Sequence, residues 1–253
     1  MDPSRQTAPA SPNLAGPALL ILWLALGVAL ARVPQFGGVL TFAFVMVGWV
    51  LAVALHEFGH AAVGYLAGDH TVLAKGYLTF DPRRYTDLGV SIVIPLIALA
   101  LGGFGFPGGA VYLREDLMRG RLWRSASSLA GPLGTFVALL ILTRIMAATA
   151  ATSLDLYAAL AFLAFLQATA LVLNLMPIPG LDGYGVIRPF LPEAIAGALA
   201  RFVGIAALAF LAALFFLPGA AGLLFAAAGS IAEAVGVPLH AVQAGWQAFH
   251  FWG

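Results

Sequence analysis

The stretch Ala54-Leu55-His56-Glu57-Phe58-Gly59-His60-Ala61-Ala62 decides how this chain is read. His56, Glu57 and His60 form a His-Glu-x-x-His pattern. On a helix, positions i and i+4 share a face, so the two imidazoles can offer nitrogens to one metal ion. Glu57 follows the first histidine and can reach a water on that metal as general base. The pattern sits in the second half of an apolar run, residues 36–66. A lone buried histidine is usually a satisfied core residue. Three ionisable residues within five positions of apolar sequence are costly, and in a membrane such groups usually mark function.

The bulk numbers agree with a membrane setting. Of 253 residues, 62% are hydrophobic and 9% charged, and the mean hydropathy is +0.98. A soluble domain carries roughly a quarter charged residues. The apolar runs are long and continuous, which predicts an all-α polytopic membrane protein rather than the alternating strands of a barrel. A net charge of +1 gives no electrostatic case for nucleic acid. Cysteine is absent, so any zinc falls to His, Asp and Glu.

Along the chain, residues 1–16 read as a disordered tail rich in Pro, Ser and Ala, and 17–253 as a single membrane-embedded domain with its core at 36–192. About six membrane helices or segments are expected. The first, 17–31, ends in Ala29-Leu30-Ala31, which resembles a signal-peptidase site; with only Arg5 before it, it is read as a retained helix. The second, 36–66, can span with tilt. Residues 72–80 read as a short strand or hairpin, with a turn at Asp81-Pro82-Arg83-Arg84. His70 is a spare ligand or an interfacial polar residue. Residues 89–106 are apolar but short, interrupted by Pro95 and dissolved by Gly102-Gly103: a short span or a re-entrant piece.

Pro107-Gly108 then forms a turn that feeds a strand-like segment, Gly109-Ala110-Val111-Tyr112-Leu113. An unpaired strand edge there could take an extended peptide; a plain connecting loop is the alternative. Residues 114–124 hold four arginines and form a headgroup-facing piece. Further spans follow at 125–148, 156–173 and 194–217, then two shorter helices in 219–253, split near Gly236-Val237-Pro238. His240 and His250 stand with Trp246, Phe249, Phe251 and Trp252 in an aromatic interface belt. No internal repeat is visible.

A catalytic zinc usually takes three protein ligands plus water, so two histidines leave one missing. Asp182 follows a Pro177-Ile178-Pro179-Gly180 break at the end of an apolar helix. Prolines free backbone groups, which is tolerated at membrane depth only inside protein or beside water. Asp182 is read as the third metal arm. A helix N-cap is the other role open to it.

These residues resemble a family. His56-Glu57-Phe58-Gly59-His60, Ser128-Leu129-Ala130-Gly131-Pro132 and Asn174-Leu175-Met176-Pro177-Ile178-Pro179-Gly180-Leu181-Asp182-Gly183 look like the three signatures of the site-2 proteases, which are intramembrane zinc metalloproteases. The resemblance covers 36–192 and is similar to the compact bacterial branch, without PDZ or CBS domains. Gly180 departs from it, standing where many members carry a bulkier residue. The resemblance implies one Zn²⁺ per chain on His56, His60 and Asp182, with Glu57 as catalytic base. It implies that Asn174 contacts the substrate backbone or polarises the scissile carbonyl. A substrate would lie along Gly109, Ala110, Val111 and Tyr112. The implied partners are the lipid bilayer and a membrane-anchored protein, cut first by another protease; the implied place is the cell membrane, multi-pass.

In that family the His helix and the Asp helix run in the same direction, which requires that 89–106 not cross fully. Lys75, Arg83, Arg84, Arg114, Arg119, Arg121 and Arg124 would then share one face, and the zinc site would open toward the cytosol. The rival reading is a non-proteolytic membrane metal-binding or transport protein, because transporters also place His and Asp at broken helices. Glu57 separates the two, since a carrier needs no base beside its ligand.

Overall fold

The computed structural model describes residues 14–85 and 111–252. Two apolar runs fold as α1 (Ala15–Arg32) and α2 (Gly37–Ala67), followed by a single turn, α3 (Thr71–Ala74). Two more long helices, α4 (Arg121–Thr149) and α5 (Leu154–Asn174), lead to the short α6 (Asp182–Ile187). α7 (Glu193–Ala200), α8 (Val203–Phe216), α9 (Ala220–Ala234) and α10 (Leu239–Phe249) complete the bundle. Among the described residues, four helices are long and apolar enough to cross a membrane, or six if each bent pair, α7 with α8 and α9 with α10, counts as one span.

α2 has 31 residues and no proline, so nothing interrupts it. At 1.5 Å per residue it is about 46 Å long, more than the ~30 Å hydrocarbon layer. It stops at Gly68, whose φ of +121° disfavours any side chain; a Cβ there would also stand 2.9 Å from the Leu117 carbonyl oxygen. α5 is the buried centre: every residue from 158 to 164 is enclosed, as expected of a helix that is apolar all round.

Close contacts fix the directions. Gly27 of α1 lies against Phe44, and Gly48 of α2 against Trp23, so α1 runs antiparallel to α2. Trp23 stacks on Phe44 at 4.9 Å. Gly59 lies on the Ala130 carbonyl, and a Cβ on Gly134 would come 2.9 Å from the Leu55 carbonyl oxygen, so α4 also runs antiparallel to α2. Leu156 meets the Gly27–Phe44 contact while Leu163 meets Gly48, so α5 runs parallel to α2. That parallel course is what the resemblance implied for the two metal-bearing helices.

The expected small β elements are corrected here, because no strand occurs among the described residues. Residues 72–80 form α3 and turns instead. The sequence reading weighed the β-prone side chains and missed a cap: the buried Asp69 carboxylate accepts from the Thr71 N–H at 3.0 Å and from its hydroxyl, which nucleates a helical turn. The expected turn at 81–84 is present, with the Arg83 N–H donating to Asp81 at 3.1 Å. Val111, Tyr112 and Leu113 pair with no strand among the described residues, and some of the backbone groups here go to side chains instead. Val111 N–H goes to Glu57, the Tyr112 carbonyl to Lys75, and the next amide, that of Arg114, to Asp69. Gly109 and Ala110 lie outside the described residues.

The reading of 89–106 also lies outside the described residues, but its flanks do not. The Lys75 side chain, before it, donates to the Tyr112 carbonyl, after it, and the Arg119 N–H donates to the Ala67 carbonyl at 3.0 Å, so both flanks meet near the C-terminal end of α2. The expected span 194–217 is broken: α7 and α8 meet at 67° around Arg201 and Phe202. The split near 236–238 is as expected, with α9 and α10 bent by 118°.

The backbone contact at Gly59 makes a stability prediction. Gly59→Ala drives a methyl into the Ala130 carbonyl and should cost about 1–3 kcal/mol. Gly222→Ala, which points into open space on α9, should leave stability unchanged or raise it. Thermal melts of the two variants in detergent check the contrast; equal behaviour would refute the tight α2–α4 contact.

Candidate metal centre

His56, Glu57 and His60 sit about 10–17 Å before the C-terminal end of α2. All three are buried, at 5%, 2% and 7% exposure. The His60 Nδ1–H donates to the Ser127 carbonyl at 2.7 Å. His56 Nδ1 lies 2.8 Å from Thr135 Oγ1, whose oxygen can accept its proton. Ser127 and Thr135 are two turns apart on the buried stripe of α4. Pro132, between them, removes one helical N–H donor, so the Ser128 carbonyl loses its partner in the helix.

Protons on both outer nitrogens are the tautomers a metal ion requires, and both Nε2 atoms, 3.0 Å apart, would then offer it their lone pairs. Asp182 closes the set: its Oδ2 is 3.1 Å from His56 Nε2 and its Oδ1 is 3.3 Å from His60 Nε2. Asp182 is the first residue of α6, and the N-cap position is held by Leu181. The break does the aiming. Helix α5 ends at Asn174, Gly180 turns the chain at φ +103°, and α6 starts with its carboxylate toward α2.

His56, His60 and Asp182 each offer a ligand atom, all within 4.8 Å of one another. A set of lone pairs like this suits a cation and repels itself without one. Two imidazoles and one carboxylate, with a further position toward the cavity, fit a catalytic zinc. Gly131 keeps that space open: a Cβ there would stand 2.6 Å from His56 Nε2 and collide with the His60 ring. The hydrogen bonds on the outer nitrogens are the usual orienting contacts of metal-binding histidines.

Glu57 lies beside this set. Its Oε2 accepts the Val111 N–H at 3.0 Å. Asn174, 3% exposed, lines the same cavity of about 210 Å³, and its Nδ2 has no hydrogen-bond partner. Tyr112 reaches out to solvent or lipid. The structure thus brings together His56, Glu57, His60, Val111, Asn174 and Asp182. It leaves Tyr112 at the edge, while Gly109 and Ala110 lie outside the described residues. The other histidines are elsewhere: His70 rests on Tyr65 and His250 on Trp246.

Sequence reasoning missed Thr135, the Ser127 carbonyl and Gly131 as a cradle. A hydroxyl on the buried stripe of an apolar helix was the available signal for Thr135. Nothing in the sequence marks which carbonyl a histidine will use.

Fold and site together define a membrane-type helical protein whose two histidines and one carboxylate form a group that could hold a metal ion. The chain is 46% identical over 200 residues to a Mycolicibacterium smegmatis protein named "Putative zinc metalloprotease Rip2", covering 76% of this chain and 75% of that one. It is 42% identical over 212 residues to the Mycobacterium tuberculosis protein of the same name, covering 83% and 81%. It is 29% identical over 160 residues to "Putative zinc metalloprotease YwhC" of Bacillus subtilis, covering 60% and 71%. No family model matches the chain, and no solved structure does. The chain belongs to the site-2 protease family of zinc metalloproteases.

The outer hydrogen bonds predict a metal effect. Thr135→Val removes the partner of His56 Nδ1 and should weaken zinc binding roughly 10- to 100-fold, while Thr135→Ser should keep it. Zinc titration against a competing chelator checks this. Equal affinity in the Val and Ser variants would show that the hydroxyl does not orient His56.

Proposed function

We propose that the protein is an intramembrane endopeptidase that hydrolyses a peptide bond within or near a transmembrane segment of a membrane-anchored substrate. One observation carries the reading: a buried glutamate stands beside two histidines and an aspartate that converge on one cavity between apolar helices. In this reading His56, His60 and Asp182 would hold Zn²⁺, one per chain. Zinc, when bound there, supplies a Lewis acid that polarises a carbonyl and acidifies a water. Glu57 takes the proton of the attacking water and gives it to the leaving amine. The free Nδ2 of Asn174 donates toward the scissile carbonyl or its neighbour.

A membrane helix hides its carbonyls in its own hydrogen bonds, so the substrate must be locally extended at the cut. Backbone pairing along residues 109–113 is the proposed grip, because apolar side chains gain little by leaving lipid for protein. The Val111 N–H already serves Glu57, so a substrate would meet Tyr112 and the residues before Val111.

The substrate class, a membrane-anchored protein already cut once by another protease, follows the family. The site end of the bundle carries Lys75, Arg83, Arg84, Arg114, Arg119, Arg121, Arg124 and Arg188, whereas at the far side Arg32 ends α1 and Arg144 lies near the end of α4. By the positive-inside rule the mouth of the site faces the cytosol of a cell-membrane protein.

Glu57→Gln tests the chemistry. The amide keeps the size and can still accept from Val111, but it cannot act as base. Zinc content should stay at wild-type level while cleavage of a single-span substrate falls at least ~100-fold. Near wild-type cleavage would assign the proton to another group, and a wild-type protein that holds zinc yet cleaves nothing favours the metal carrier.

Orientation is tested by labelling. The chain has no cysteine of its own. Single cysteines at Thr79 and Gly120 should both resist an impermeant reagent on intact cells and both react after lysis. Reaction of both on intact cells would reverse the orientation, and opposite behaviour of the two would overturn the shared face.

A further inference from the structure

Asp69 is fully buried yet belongs to neither the metal set nor an ion pair within reach of it. Its Oδ1 accepts from the Thr71 N–H at 3.0 Å and from the Thr71 hydroxyl, and its Oδ2 accepts from the Arg114 N–H at 2.7 Å. All of its partners are donors. Three residues before Arg114, the Val111 N–H donates to Glu57 Oε2 at 3.0 Å. The chain between these two anchors spans at most ~10 Å at full extension, so pinning one end limits where the other can go. Leu113 fills the notch over Gly64, whose Cβ would come 3.0 Å from it. Farther on, Glu115 pairs with Arg188 at 2.6 Å, tying the same segment to the chain beyond Asp182.

We propose that Asp69 is a positioning residue for Glu57: it anchors the strut 111–114, and the strut delivers the Val111 amide that fixes the Glu57 carboxylate. This rests on the reading of Glu57 as the base. The carboxylate is needed on both sides at once. An amide in its place must turn its NH₂ toward either the Thr71 N–H or the Arg114 N–H, and a donor facing a donor breaks that contact. Thr71 contributes two donors, so the amide oxygen stays with it and the strut side is lost. A mobile carboxylate still holds the same charge beside the metal set, but it spends less time at the geometry that takes the proton. A displacement of about 1 Å is enough for a large rate loss.

The test uses the full-length protein with zinc bound. Asp69→Asn should keep its zinc content, lower kcat roughly 10- to 100-fold and leave KM within about twofold. Arg114→Pro removes the strut-side donor and, with the side chain, the exposed Arg114–Asp116 ion pair, which Arg114→Ala removes alone and which should leave kcat near wild type. Arg114 has φ −89°, near what proline adopts, so this variant should lower kcat similarly without touching the Thr71 cap. It also stands in should Asp69→Asn fail to fold. Val111→Pro removes the donor to Glu57, and adding Asp69→Asn to it should cost little more, because both act through one bond. Full additivity of the two losses would overturn the proposal, as would a KM effect without a kcat effect.

Amide hydrogen exchange supplies a readout that needs no cleavage. The Val111 and Arg114 amides should be protected in the wild type. Protection at Val111 should fall about tenfold or more in both Asp69→Asn and Arg114→Pro. Unchanged protection at Val111 overturns the strut. If the wild type cleaves no substrate, the protease reading fails by itself, and exchange still decides whether Asp69 holds the segment over Glu57.

Discussion

Lone pairs cannot converge in an apolar interior unless a cation answers them. Two imidazole nitrogens 3.0 Å apart, facing two carboxylate oxygens at 3.1 and 3.3 Å, need a proton or a metal ion between them, and that condition acts on everything nearby. The outer nitrogens must keep their protons, so α4 places a carbonyl and a hydroxyl against them. The carboxylate must arrive from a different helix, so the chain breaks after α5 and begins α6 at Asp182. The neighbouring glutamate needs its own partner, and a backbone amide supplies it. Each is a local departure from regular apolar helix, and each is spent at the metal set.

Such contacts require backbones closer than two ordinary helices allow. Gly59, Gly131 and Gly134 bring α2 and α4 nearly into backbone contact. In lipid this closeness matters more than in water, because no hydrophobic force gathers the helices and van der Waals contact must do so. Gly131 does more than admit a neighbour. It leaves room for an ion where a methyl would block both nitrogens. The same pair of helices therefore provides both the stability of the bundle and the shape of the site.

The spans were legible because long apolar runs carry a strong signal. The metal set was legible as candidates because His56 and His60 obey helical spacing and Asp182 follows a proline break. What misled was local. Residues 72–80 offer Val, Leu, Tyr and Phe, which suit a strand, but no partner strand occurs among the described residues, and the Asp69 carboxylate holds Thr71 at the start of a helical turn. The stretch 194–217 reads as one apolar span, yet the chain bends at Arg201 and Phe202, where a charge interrupts the run. Long-range contacts such as His60 with the Ser127 carbonyl, 67 residues apart, leave no trace in local pattern.

Backbone donors near Glu57 are a limited resource, and their division shapes how a peptide could approach. The amide of Val111 is committed to the base and that of Arg114 to Asp69, so neither can hold a substrate. The Tyr112 carbonyl is committed to Lys75. Along an extended segment, alternate residues present their backbone groups on opposite sides. Val111 and Arg114 are three apart and so face opposite sides: the Val111 amide is committed on one side, the Tyr112 carbonyl and the Arg114 amide on the other, and an incoming chain can use only the groups these leave. Asn174 offers its free Nδ2 from the end of α5. A peptide in the cavity would meet this donor beside the ligand set. A donor so placed suits a chain already unwound, since a closed helix has no carbonyls to give to it.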